Sequence, residues 1–154
     1  MKIHIIGGPG SGKTFLAEKL SKEYGIRHID LDELQWDNQS ASYGTKRDSA
    51  QRDKLLEEVL ENDDWIIEGV YYAWVQQCFA DADKIYLLSV PRYKYRYRII
   101  RRFLRRKLGI EKGKKESLKS IIDLLKWADK YQNVNLVEIC KILEPYSSKV
   151  VEVG

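Results

Sequence analysis

At 154 residues, 44% hydrophobic and 32% charged, the chain suits one domain with a core of its own, and this balance excludes a disordered polymer. Its best apolar run, Ile85 to Val90, falls far short of the ~20 residues that cross a bilayer, so no membrane partner is expected. The net charge of +4 is unevenly spread: Arg92 to Lys115 holds seven arginines and five lysines against one acid, Glu111, and such a block seeks phosphate.

Lys2 to Ile6 reads as a buried strand that runs into glycines. Because the glycines arrive before any apolar leader or cleavage site, the expected location is cytoplasmic. Lys13 to Tyr24 reads as a helix, with Phe15, Leu16, Leu20 and Tyr24 at helical spacing and Gly25 as its stop. Arg27 to Leu31 is a second strand, and Trp36 to Thr45, rich in Asn, Ser and Gly, a loop. A helix over Lys46–Asn62, a turn at Asn62–Asp64 and a third strand over Trp65–Val70 follow. Next come a short helix at Ala73–Ala80 and a fourth strand at Lys84–Val90, apolar enough to be covered on both faces.

Pro91 suits a helix start, and Arg92 to Leu108 has helical period. Gly109 to Lys115 reads as a mobile connector. Helices over Ser117–Tyr131 and Leu136–Leu143 precede a last strand at Lys149–Val153. Strands alternating with helices predict an α/β fold with a five-stranded parallel sheet, in one domain spanning 1–154. Cys78 and Cys140 lack metal or redox spacing and read as reduced thiols.

Residues Gly7-Gly8-Pro9-Gly10-Ser11-Gly12-Lys13-Thr14 satisfy G-x-x-x-x-G-K-[ST] at every fixed position, between a predicted strand and a predicted helix. Glycines let the backbone approach the ligand, so the N–H groups of Gly8 and of Gly10 to Thr14 can face phosphate oxygens around Pro9, and the helix directs its positive end there. Lys13 is expected to reach the β- and γ-phosphates of ATP, and the Thr14 hydroxyl to ligate Mg²⁺.

Ligands of open α/β sheets lie at the carboxyl ends of the strands. Asp30 and Asp32 share one face if their strand continues through both; one could hold a metal-bound water and the other orient an acceptor hydroxyl. A solvated acid or a helix cap is the plain alternative. Glu68 ends an apolar strand, the arrangement in which a carboxylate orients Mg²⁺ directly or through water. On the basic helix, Arg98, Arg102 and either Arg105 or Arg106 share a face that a transferring phosphoryl group could neutralise. The rival use is the backbone of DNA or RNA, with tyrosines stacking between the charges.

Loop, paired acids, strand acid and arginine helix occur in an order that resembles the adenylate-kinase-like P-loop kinases, and most closely their topology modulation protein, or FlaR-like, branch. The segments Asp30-Leu31-Asp32-x-Leu34-x-Trp36 and Trp65-Ile66-Ile67-x-Gly69-x-Tyr71 carry that likeness. It departs at Glu68-Gly69-Val70-Tyr71, where the branch has Asp-Gly-Asn-Tyr. The resemblance implies a three-layer P-loop NTPase fold with a small helical lid over about 92–131, including Lys112–Glu116. It implies Asp30 and Asp32 as partners of Mg²⁺ and acceptor, Arg98 and Arg102 as lid arginines, and Arg47 or Arg52 as contacts to an acceptor phosphate. It also implies adenine packing against Glu144–Ser148. The expected activity is ATP- and Mg²⁺-dependent phosphoryl transfer to a small acceptor, such as a nucleoside monophosphate. The alternatives are a nucleotide-dependent DNA- or RNA-binding protein affecting DNA topology, and a kinase of a non-nucleotide hydroxylated metabolite.

Overall fold

Ile3, Ile5 and Ile6, all buried, put the strand β1 (Lys2–Gly7) at the apolar centre of a sheet. The computed structural model describes residues 1–37, 44–112 and 116–154; most of the loop expected at 36–45 and of the lid stretch at 112–116 lies outside them. β2 (His28–Asp30), β3 (Trp65–Gly69), β4 (Lys84–Leu88) and β5 (Val150–Val153) complete the sheet in the order β2-β3-β1-β4-β5, every pair parallel.

Both faces are covered, as parallel sheets require. On one, Ile3, Ile5, Ile66 and Leu88 meet Ala17 and Leu20 of α1 (Lys13–Tyr24). On the other, Ile6, Ile67, Ile85 and Leu87 pack with α2 (Leu31–Gln35), α3 (Ser49–Leu60) and α4 (Gln76–Asp81). Alternate side chains of β1 thus serve opposite layers, and each buried aliphatic contributes roughly 1.5–3 kcal/mol by leaving water. Of the residues at helical spacing in α1, Leu20 is buried and Phe15 is 75% exposed.

α5 (Arg92–Lys107) packs Tyr95, Ile99 and Phe103 against Ile121 and Ala128 of α6 (Leu118–Lys130), whose first turn is capped by the Ser117 hydroxyl. The two helices expected after Ser117 are one continuous rod. A π-helical turn over Tyr131–Asn135 joins α6 to α7 (Leu136–Leu143), because no glycine or proline interrupts residues 117 to 143. The turn seats Tyr131 in the core, 1% exposed. No helix among the described residues is long and apolar enough to cross a membrane.

One expectation is overturned by topology. Glu144–Lys149 forms a 3₁₀ turn that enters β5 from the edge opposite the phosphate loop; Lys149 Nζ donates to the carbonyls of Ala80 and Ala82, just ahead of β4. Adenine cannot pack there and also reach Lys13, since a chain feeding a parallel strand arrives at that strand's amino end.

Candidate functional site

Gly7 to Gly12 wraps the carboxyl end of β1 before α1 begins. Gly10 (φ 72°) and Gly12 (φ 99°) hold left-handed backbone that side chains rarely adopt. A Cβ on Gly10 would lie 2.7 Å from the Tyr95 carbonyl, and one on Gly8 2.8 Å from the Tyr131 ring. The loop is therefore clamped from outside by α5 and by the π-turn. Lys13 folds back over it, Nζ donating to the Gly8 carbonyl at 3.2 Å. Burial lowers the Lys13 pKa, and Glu68, Asp30 and Asp32 oppose that shift. The Ser11 hydroxyl is buried with no hydrogen-bond partner among the described residues.

Three acids face this loop. Glu68, 1% exposed in β3, accepts a 2.6 Å hydrogen bond from the Thr14 hydroxyl. Asp30 stands beside it, since β2 and β3 pair Asp30 with Glu68. The strand does not continue through Asp32, however. Asp30 ends β2 and caps α2, its carboxylate accepting from the Asp32 N–H at 2.9 Å, and Asp32 lies in the first helical turn. A cap ends an extended run when the next residue takes helical torsions, so strand alternation does not relate the two acids. Both still line one cleft of about 680 Å³ with Lys13, Thr14, Glu68, Arg98 and Arg102. Burial, with help from Glu68 and Asp32, pushes the Asp30 carboxyl up to about 6 against a hydrogen bond that lowers it. Asp32 accepts from the Tyr71 hydroxyl at 2.7 Å.

The basic helix divides its arginines among several partners. Arg98 donates to the loop carbonyls of Gly10 (3.2 Å) and Ser11 (2.7 Å). Arg102, one turn on, is half-buried at the cleft, and its Nε has no partner among the described residues. Burial first, and Arg106 second, lower its pKa. Arg105 and Arg106 do not share that role: both approach Glu111, at 3.3 and 3.9 Å. Arg92, Arg96 and the Tyr95 hydroxyl converge on Asp129 of α6 at 2.7, 2.6 and 2.6 Å.

The arginines expected at an acceptor phosphate are spent elsewhere. Arg47 donates to the carbonyls of Leu34 (3.1 Å), Trp36 (3.4 Å) and Glu33 (3.5 Å), satisfying the carboxyl end of α2. Arg52 bonds Asp53 at 2.8 Å and lies 4.4 Å over the Trp74 ring. Neither lines the cleft.

Sequence reasoning missed Gln35, Tyr131 and Asp129, and gave Trp36 and Tyr71 no role beyond their motif letters. Trp36 and Asp32 are four residues apart, a spacing that puts both on one helix side had α2 been foreseen. Tyr131 and Asp129 have no local signal, because their partners are 61 and 33–37 residues away.

The donor set fits a magnesium nucleotide. Mg²⁺ takes oxygen ligands from one or two carboxylates and from phosphates, and the Thr14 hydroxyl and Glu68 carboxylate meet beside the loop. Among the described residues no three His, Cys, Asp or Glu side chains form a metal cage. The buried Ser11 hydroxyl and the Arg102 Nε supply polar groups suited to an anion.

A family model described as AAA domain matches residues 6–119. Uncharacterized protein YqaC of Bacillus subtilis (strain 168) is 30% identical over 139 residues, 87% of this chain and 74% of that protein. Adenylate kinase isoenzyme 5 of Bos taurus and of Homo sapiens is 35% identical over 68 residues, 44% of this chain but only 11% of those proteins. Shikimate kinase from Acinetobacter baumannii, solved with shikimate, superposes with a TM-score of 0.59 at 15% identity, covering 99% of this chain and 83% of that one. A gluconokinase from Sinorhizobium meliloti 1021 does so at 0.54 and 16%, covering 99% and 81%. These two superpositions speak to the fold alone, and none of the matches singles out the topology modulation branch. Its loop, sheet order and matched span make this chain a member of the AAA-domain family, built as a kinase-like P-loop domain.

Proposed function

We propose that this chain transfers the γ-phosphoryl group of ATP, with Mg²⁺, to a hydroxyl of a small acceptor. The observation that carries this reading is that a single cleft joins the Lys13 loop and the Thr14–Glu68 pair to Asp30, a carboxylate tuned to accept a proton near neutral pH. The similar proteins are named as kinases, of adenylate, shikimate and gluconate, and these names differ in the acceptor.

Lys13 and the loop amides would neutralise the phosphates, with Arg98 holding the loop's shape through two carbonyls. Thr14 and Glu68 would hold Mg²⁺, which when bound supplies charge neutralisation between the phosphates. Asp30 would take the acceptor proton as the oxygen–phosphorus bond forms and the bond to the bridging oxygen breaks, leaving ADP. Arg102 would meet the charge on the transferring group. Helices α5 and α6 would act as the lid over 92–131. Two free thiols, Cys78 and Cys140, suit a reducing cytoplasm.

The test is an ATP-consumption screen over nucleoside monophosphates and small hydroxylated metabolites, with wild type and Lys13→Ala. Acceptor-dependent ADP release that Lys13→Ala abolishes supports the reading; equal rates for both proteins sink it. A second reading, nucleotide-dependent binding of DNA or RNA with an effect on DNA topology, draws on Tyr93 and Tyr97, 71% and 63% exposed on the helix that carries Lys94 and Arg101. Filter binding across salt decides it: a steep salt slope supports it, and no binding at physiological salt removes it.

A further inference from the structure

We infer that the phosphoryl acceptor is an uncharged polyhydroxylated ring, not a phosphorylated or carboxylated one. This rests on the phosphotransferase reading and narrows its acceptor.

The cleft's charges are sorted by wall. Of its four cations among the described residues, Lys13, Arg98 and Arg102 belong to the phosphate loop and to α5, with Arg98 bonded to the loop itself, and Lys46 alone lies elsewhere. The facing wall, from the end of β2 and from α2, presents Asp30 and Asp32, with Tyr71 donating to the latter. An anionic acceptor would bring like charge against that pair. Cations that could compensate are withheld, as Arg47 serves three backbone carbonyls and Arg52 serves Asp53 and Trp74. Lys46 is the one cation on this side among the described residues, and its ammonium lies 5.8 Å from the Trp36 ring centre.

What this wall offers suits neighbouring hydroxyls. A carboxylate has two oxygens that accept in parallel, and Asp32 already receives one phenolic hydroxyl. Gln35 and Trp36 extend the wall with an amide and an aromatic surface, against which the C–H face of a ring can pack. Sugars and nucleosides share this chemistry, and matched compounds separate them.

The experiment measures kcat/KM with ATP for a ribonucleoside against its 5′-monophosphate, and for an aldohexose against its aldonate, with product detected by mass. The expected result is at least a tenfold preference for the neutral member of a pair. The productive pair says whether the ring is nucleoside or sugar. For that acceptor, Asp32→Asn should raise KM about tenfold and leave ATP binding by calorimetry unchanged, while Lys46→Ala should change KM less than twofold. Preference for the monophosphate or aldonate, or a tenfold KM rise in Lys46→Ala, overturns the inference but leaves phosphoryl transfer standing. No transfer to any of the four compounds overturns it too. No acceptor-dependent ADP release across the wider metabolite screen brings down the phosphotransferase reading itself.

Discussion

The two walls of the cleft are made by different means. The wall proposed for the donor is mostly backbone: the loop amides of Gly8 and of Gly10 to Thr14, held open by two left-handed glycines and by Arg98 on the Gly10 and Ser11 carbonyls. The wall proposed for the acceptor is side chain: Asp30 at a strand end, Asp32 on a one-turn helix, and Tyr71 reaching across from beyond β3. A backbone wall fits any phosphate, since every residue of the loop except Pro9 has an N–H. A side-chain wall selects, because exchanging one group changes what it accepts. Donor chemistry should therefore fail abruptly when the loop is altered, and acceptor chemistry should shift by degrees.

The largest effect is expected from Lys13→Ala, which should lower kcat on the order of 10³-fold with the circular dichroism spectrum retained. Activity within tenfold of wild type would mean that the two walls do not work together.

Asp30→Asn should lower kcat by roughly 10²-fold, the usual size of a lost general base. In wild type the rate should climb as pH rises through about 6, where Asp30 deprotonates, and Asn should flatten that limb. The same shift makes a stability prediction. A carboxyl with a raised folded pKa binds its proton more tightly when folded, so its ionisation weakens the fold above about 6, and the penalty fades as pH falls toward 3.8. Asn also caps helices well, so Asp30→Asn should raise Tm at pH 7.5 and not at pH 4. A lower Tm at both values would show that the carboxylate supports the fold.

Gly8→Ala probes the donor wall from behind. Its Cβ would enter the Tyr131 ring, so ATP affinity should fall about tenfold, with part recovered in the Gly8→Ala/Tyr131→Leu double variant. Full additivity in that cycle would show that the two residues act independently. The smallest effect is expected at Asp129→Ala, a residue that does not line the cleft: Tm down by about 2–4 °C as three donors on α5 lose their acceptor, with KM for ATP changed less than twofold.

Much of this protein is legible without coordinates, for reasons that are local. The strands β1, β3 and β4 are short apolar runs between turns, and the phosphate loop needs only its own glycines, lysine and threonine. Three readings failed because they depend on what lies across space. The strand expected through Asp32 ends at Asp30, because a cap bond from the Asp32 N–H starts a helix there. The arginines between the second and third strands look alike in sequence, yet one satisfies a helix end and the other an aromatic ring. The adenine contact expected at Glu144–Ser148 falls at the wrong end of the sheet, because that segment feeds β5 at its amino end.

Eight consecutive residues, Gly7 to Thr14, are enough to mark this chain as a P-loop domain, because the backbone geometry that suits phosphate is local. Only the tertiary structure decided which arginines face the cleft and which acids share it. A side chain's partner is chosen by packing between distant elements, and that information is spread over the whole chain.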